Sequence, residues 1–342
     1  MTAFALYRLP YGDHCTLIEQ TGDEPLRLTS VKELDGRLGF VVAPFHPTAE
    51  YPVLLIRPDR VSQLPVEQPE AGVPDVLKSS SYREEYAIDF ANFHSQLTQG
   101  AFRKIVLARC ATLETAHIAD TRQLFWRACQ RYPRLFIALV SLPEGTCWLT
   151  ATPEILLEGV GDEWRTVALA GTMRLKEDEL NGEGEHVCWS TKNIQEQRYV
   201  ATYIAECLEK FDIDFREDGP CTVRAAHLVH LRSDFTFRMR LNDRVGALLD
   251  VLHPTPAVCG LPKREAFNFI LDNERVSRQY YSGFMGPLLM NDSTHLYVSL
   301  RCMHICDHQY QLYAGGGLLP DSVEEQEWQE TEAKMETMRN LL

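Results

Sequence analysis

The sequence predicts an α+β fold with large antiparallel β-sheets, and two observations carry that expectation. The first 60 or so residues break into short apolar strands, among them Phe40 to Val42 and Val53 to Ile56, punctuated by Gly12-Asp13, Gly22-Asp23 and proline turns. Further along, strands and helices come in runs at hairpin-like spacing, which suits antiparallel sheets better than a doubly wound parallel one. With 342 residues, 45% hydrophobic and 24% charged, the chain can bury a large core, which excludes a disordered tail protein.

The elements follow in order. Residues 60 to 81 are rich in Pro, Glu, Val and Ser without a sustained period, and are expected to form a linker or long surface connection. That divides a β-rich portion, residues 1–80, from residues 81–342, with both completing one structural domain. A helix is expected from Tyr82 to about Gln99, a strand at Lys104 to Thr112, a helix near Thr121 to Arg131, and strands at Leu135 to Ser141 and Cys147 to Thr152. In Ser190 to Phe211 the residues Val200, Ile204, Cys207, Leu208 and Phe211 follow the helical period, and Glu196 falls one turn before Val200 on the same stripe. In Asp321 to Leu342 the apolar arc is Trp328, Met335, Met338 and Leu342; Glu327 and Lys334 fall within it and Glu330 at its margin. Ionisable groups thus face inward from two helices.

Charge and cysteine content narrow the function. Lys+Arg 34 against Asp+Glu 48 gives a net charge of −14, which argues against nucleic acid as the main partner, because phosphate binding needs a concentrated basic surface. No stretch approaches the roughly 20 apolar residues of a membrane span, and the opening residues lack a secretory signal, so a cytoplasmic protein without a membrane partner is expected. The ten cysteines form no CxxC pair and are expected to be reduced, mostly buried thiols.

Several motifs carry chemistry, each beside a plainer alternative. Buried carboxylates need compensation, and a divalent cation with oxygen ligands supplies it. The alternative is an ordinary i,i+4 salt bridge between Glu330 and Lys334, with Glu196 reaching water. Cys302, His304, Cys306 and His308 are all zinc-type residues, but alternate strand residues line a face over roughly 20 Å and do not converge on one ion, so a sheet-face row is expected. Arg301 falls on the other face of that strand with Tyr297 and Ser299, either entering a polar cavity or pairing at the surface. Ala314-Gly315-Gly316-Gly317 follows the strand Tyr310 to Tyr313 and can bring backbone N–H groups close to an anion, or simply make a tight connection. Lys104 shares a strand face with Val106, Ala108 and Cys110, a setting that suits a general base because desolvation favours a neutral amine. Glu154, after Thr152-Pro153, is a candidate for the complementary acid; either group alone could be a strand-end charge.

Seven ordered stretches together resemble the chorismate-utilising enzymes, in particular their isochorismate synthase branch. They are KIVLAR at 104–109, ATPE at 151–154, LAGT at 169–172, HPTPAVCG at 253–260, SLRC at 299–302, AGGG at 314–317 and EWQETEAK at 327–334, and the resemblance runs from about Tyr82 to Leu342. It implies a layered α+β structure with the active site between two β-sheets and the flanking helices. It also implies a Mg²⁺-dependent, reversible conversion of chorismate to isochorismate, with water added at ring carbon 2 and the carbon 4 hydroxyl lost. By resemblance Lys104 is the general base for water, and Glu154 is the acid that protonates the leaving hydroxyl. Glu196 and Glu330 match Mg²⁺ ligands, with Glu327 nearby acting through a coordinated water. Arg301, Lys334 and the amides around Gly315 and Gly316 hold carboxylates; Ala170, Gly171 and Thr172 line the ring; His230 stands near the leaving group. Two departures stand out: glutamines flank Glu196 in TKNIQEQR where many relatives have an acidic, Lys- and His-rich run, and Gly316 replaces a frequent alanine.

Lys104 is absent from the ammonia-using relatives, so hydration without a glutaminase subunit is implied, with isochorismate passing to menaquinone or siderophore synthesis. The alternatives are a salicylate synthase, which goes on to eliminate pyruvate, an ammonia-using anthranilate or aminodeoxychorismate synthase, and a catalytically silent chorismate-binding or partner-binding protein.

Overall fold

The computed structural model describes residues 3–69, 76–117, 120–143, 145–174, 188–225, 228–239, 244–306 and 308–342. The chain opens with β1 (Phe4–Arg8), β2 (His14–Glu19), β3 (Leu26–Leu28), β4 (Gly39–Ala43), β5 (Val53–Ile56), β6 (Arg60–Pro65) and β7 (Val76–Ser80). Next come α1 (Arg83–Thr98), β8 (Lys104–Thr115), α2 (Thr121–Arg131), β9 (Phe136–Ser141), β10 (Cys147–Thr152), β11 (Ile155–Val160), β12 (Glu163–Arg174) and α3 (Thr191–Glu209). The remainder is β13 (Phe215–Ala225), β14 (Leu228–Arg238), α4 (Val245–Leu252), β15 (Gly260–Leu261), α5 (Lys263–Asn273), β16 (Phe284–Leu288), β17 (Ser293–Val298), β18 (Cys302–Cys306), β19 (Gln309–Leu318) and α6 (Glu324–Arg339).

The strands form two large antiparallel sheets. One runs β15-β8-β19-β18-β10-β9-β1-β2-β6 with β7 beside β8; the other runs β13-β14-β12-β11-β17-β16-β4-β5-β3. Their inner faces meet in a core that includes Tyr7, Phe40, Phe136, Trp148 and Tyr297, with Phe136 of one sheet stacked on Tyr297 of the other at 4.3 Å. Helices cover both outer faces. α2 and α6 pack on the first sheet, α1 and α5 close over β8 at its end, and α3 and α4 bury Val200, Ile204, Cys207, Leu208 and Leu249 against the second. Among the described residues no helix is long and apolar enough to cross a membrane. All ten cysteines are free thiols, six of them buried.

Three sequence expectations need correction. Residues 60 to 81 are not simply a linker: β6 pairs with β2 and β7 pairs with β8. β6 is almost wholly exposed, so backbone pairing holds it and no apolar period announced it. The segment Tyr297 to Cys306 is not one strand either. β17 ends at Val298 in one sheet and β18 begins at Cys302 in the other, so Arg301 lies in the crossover, at φ 46°, and face parity from Tyr297 does not reach it. Finally, Gly315, Gly316 and Gly317 are not a connection after a strand. β19 continues through them, paired with Ala108, Leu107 and Val106 of β8.

Candidate active site

The chain crosses from one sheet to the other at Pro153-Glu154, between β10 and β11, and again at 299–301. Both crossovers open onto a small enclosed cavity of about 60 Å³. Glu154, Ala170, Gly171, Thr172, Glu196, His230, Arg301, Gly315 and Lys334 all line it, so nine of the residues singled out by sequence converge on one place. A wider hollow of about 970 Å³ opens near Trp164, Phe215 and Phe237, but none of those nine lines it, and its buried Glu158 is already bonded to Arg165, His295 and Tyr297. Convergent polar groups mark a site better than size does.

Lys104 opens β8 on the inner face and is fully buried. Its Nζ lies 3.0 Å from Glu196 Oε1, which reaches in from α3 on the stripe the helical period assigned to it. Burial works to raise the Glu196 pKa, but the charges of Lys104 and Lys334 outweigh it and hold the carboxyl below its usual range. Gly317 explains how the two fit. A Cβ there would lie 2.2 Å from Glu196 Oε1 and 2.8 Å from Lys104 Cε, so only glycine leaves room.

Glu154 has the opposite electrostatic fate. Burial pushes its pKa up to about 8 despite the charges of Lys104, Lys334 and Arg301, so at neutral pH it is a carboxylic acid able to give a proton. Arg301 is buried as well; desolvation lowers it only to about 10, and it remains a cation. Its Nη2 donates to His230 Nε2, while His230 Nδ1 lies 3.0 Å from Gly171 O. Arginine can only donate, so Nε2 must accept and Nδ1–H donates to the carbonyl: the imidazole is neutral. Gly171 makes this possible by interrupting the β12 register at φ 72°, which turns its carbonyl towards the ring.

The far wall is β19 with α6 behind it. β18 stops pairing at Tyr313, and beyond it Lys334 Nζ donates to Gly315 O at 2.9 Å and to Glu330 Oε1 at 2.7 Å. In a strand one residue's N–H and C=O share an edge, so the Gly315 amide faces this open side, where it can meet an anion.

Gly316, Glu327 and Glu330 do not line the cavity. They lie on the α6 side of the glycine strand, where a Gly316 Cβ would be 3.2 Å from Glu327 Oε2. Burial and the neighbouring Glu330 charge raise the Glu327 pKa, while Lys192 of α3 pairs with its Oε1. Glu327 Oε2 is buried without a hydrogen-bond partner. Among the described residues no three ligating side chains converge on one point. The donor set still suits a hard cation, because Mg²⁺ commonly takes one or two carboxylates and completes its shell with water and substrate oxygens.

Sequence reasoning named Gly317 only as part of the glycine run and gave no role to Lys192 or Tyr281. Gly317 shares a face with Gly315 by strand parity, and Lys192 precedes Glu196 by one helical turn, so both had a periodic signal. Tyr281, which lines the cavity and stacks on Tyr313, had none. A second missed feature is the buried pair Glu274 and Arg278. Glu274 Oε1 accepts from Ala108 N at 2.7 Å, and Arg278 donates to Val106 O and Val258 O at 3.0 and 2.7 Å. These side chains seal the edge of β8 where β15 ends and tie it to the HPTPAVCG segment.

Comparison with known proteins bears on the family and the fold. Isochorismate synthase EntC of Escherichia coli is 29% identical over 241 residues, covering 70% of this chain and 62% of EntC. The salicylate biosynthesis isochorismate synthase of Pseudomonas aeruginosa is 31% identical over 272 residues, 77% of this chain and 56% of that protein. The chain thus matches under two thirds of the length of either relative. The structure of MenF, the menaquinone-specific isochorismate synthase from Escherichia coli, superposes with a TM-score of 0.84 over 99% of this chain and 88% of its own at 23% identity, which speaks for the fold. A family model described as chorismate binding enzyme matches residues 58–342, most of the chain and every residue of the cavity, and the protein accordingly belongs to the chorismate-binding enzyme family.

Proposed function

We propose that the protein is an isochorismate synthase, an isomerase that interconverts chorismate and isochorismate. The observation that carries this reading is the pairing of a carboxylic acid held protonated to about pH 8, the cavity-lining Glu154, with a buried lysine, Lys104, whose Nζ lies against the cavity-lining Glu196. A reaction that exchanges one hydroxyl for another needs both an acid and a base; a binding protein needs neither. Water enters at ring carbon 2 and gives its proton to Lys104 Nζ, which takes it as the neutral amine. The carbon 4 to oxygen bond breaks, and Glu154 supplies the proton with which that hydroxyl leaves as water. One water enters and one departs, so the net change is an isomerisation and both groups can run it backwards.

Arg301, Lys334 and the Gly315 amide hold the substrate carboxylates, and neutral His230 positions Arg301 while standing near the leaving group. Ala170, Gly171 and Thr172 shape the ring site. Glu196 and Glu330, with Glu327 acting through a water, would hold Mg²⁺, which when bound neutralises the ring carboxylate and draws electron density from the ring. Residues 1–80 complete the fold around the catalytic region 81–342, and no ammonia-supplying subunit is required.

The test is to incubate the purified protein with chorismate and Mg²⁺, without ammonia or glutamine, and resolve the products by chromatography. Isochorismate at a stable ratio to chorismate is expected. Salicylate with pyruvate points instead to salicylate synthesis, and turnover only with ammonia overturns the hydration reading.

A further inference from the structure

The helix that carries Glu196 also carries Lys192, one turn earlier and on the same side. Its ammonium crosses to α6 and pairs with Glu327 Oε1. Glu327 is 1% exposed, whereas the Lys192 side chain is 22% exposed, so the cation has a way out and the anion has none. The other carboxylate oxygen, Oε2, is buried with no hydrogen-bond partner and faces Gly316, which has no side chain to fill the space. Glu327 therefore has a lysine on one oxygen and no hydrogen-bond donor at the other. Glu330, one turn along α6, and Glu196, one turn along α3, act with Glu327 on the Lys192 ammonium. A cluster of this kind in a low-dielectric setting is unfavourable without a cation.

We propose that Lys192 is a built-in counter-cation for the cluster of Glu196, Glu327 and Glu330, and that it competes with Mg²⁺ for Glu327 and so sets the affinity of the metal. The inference rests on the metal reading above and adds a residue to it. Lysine fits this task because it is a compact point charge on a flexible stem, able to withdraw into water, whereas a forked arginine would stay engaged. In the metal-free protein the ammonium holds α3 and α6 together. When the divalent ion arrives, Lys192 gives up Glu327, and the cost of that displacement appears as weaker binding. If the displaced arrangement accounts for a tenth of the metal-free population, the apparent dissociation constant is about tenfold weaker than the intrinsic one.

The experiment is calorimetric titration of Mg²⁺ into the chorismate-free protein and into Lys192→Met, which keeps the stem and removes the charge, with thermal unfolding of both in chelator and in Mg²⁺. The expected result is about tenfold tighter Mg²⁺ binding by Lys192→Met, a lower Tm in chelator, and a larger rise in Tm on adding Mg²⁺ than in the wild type. Lys192→Arg, which keeps the charge, should not gain affinity. Should Lys192→Met fail to fold without metal, Lys192→Gln is titrated in its place. Mg²⁺ binding by the charge-free variant that is no tighter than binding by the wild type overturns the competition. Absence of Mg²⁺ binding in both proteins is a different outcome, which removes the metal reading and the inference with it.

Discussion

Lys104 Nζ stands 3.0 Å from Glu196 Oε1, a contact that joins the first residue of β8 to the first turns of α3 at a carboxylate that lines the cavity. The candidate base and the candidate metal ligand are thus neighbours, and each helps to place the other. Lys104→Ala is expected to retain chorismate binding and lose at least about 100-fold in kcat, the lower end for removal of a general base. Steady-state kinetics with a binding titration checks this; near-normal turnover removes Lys104 from the mechanism.

Glu154 makes a prediction about pH with a definite sign. Its pKa is about 8 in the folded protein against an ordinary 4.5, so between those values the native state holds a proton that the unfolded chain has released. Stability contributed by this group therefore falls as pH rises from about 4.5 to 8 and levels off above. Relative to wild type, Glu154→Gln should be more stable at pH 9 than at pH 5, by about 2–4 kcal/mol, measured by urea unfolding at both values. The same variant should lose at least about 100-fold in activity, and wild-type turnover should decline above about pH 8 as the acid form disappears.

The glycines of β19 should respond differently to alanine. At Gly317 the new methyl would overlap Glu196 Oε1 and Lys104 Cε, whereas at Gly316 it would meet only Glu327 Oε2 at 3.2 Å and Thr331 at 3.9 Å. Gly317→Ala is expected to cost about 1–3 kcal/mol and at least about tenfold in activity, because the ion pair must part to admit it. Gly316→Ala should stay within about 1 kcal/mol of wild type. Equal effects at the two positions, in unfolding and in kinetics, would contradict this account of β19.

Arg278 and Glu274 form an ion pair with 3% exposure on each side, and Arg278 also stacks on Phe45. Replacing either one leaves a buried charge without its partner, so Arg278→Met or Glu274→Gln should destabilise the fold by about 3–5 kcal/mol. The amide of Ala108, which loses its carboxylate acceptor in Glu274→Ala, should exchange its hydrogen faster than its neighbours in β8.

Glu330 gives a prediction specific to the metal. Glu330→Gln should shift the Mg²⁺ concentration for half-maximal activity upward by at least about tenfold. An unchanged Mg²⁺ titration rejects its ligand role.

Where the side-chain period was strong, the sequence was legible. Val200, Ile204, Cys207 and Leu208 are all fully buried, and the stripe they define put Glu196 where it is found. The same holds for Lys104, whose face partners Val106 and Ala108 are buried beside it. Legibility failed where backbone geometry decides the outcome. β6 has almost no buried side chain, so nothing in its composition announces a strand. Arg301 sits where the chain leaves one sheet for the other, and alternation along a strand carries no information across such a point. The rise in the Glu154 pKa likewise comes from what surrounds it in space, and spacing along the chain does not reveal it.

The two crossovers at Glu154 and at 299–301 pin the sheets to each other at the cavity itself. Jaws hinged elsewhere could open by swinging apart, but a sandwich riveted at its mouth cannot. A cavity of 60 Å³ has room for a few water molecules and is too small for a six-membered ring with two carboxylate arms. Space for such a ligand must therefore come from the side chains and helix ends around the mouth. Binding should leave amide exchange in β10 and β17 unaltered, while changing it at the start of α3 and in the first turns of α6.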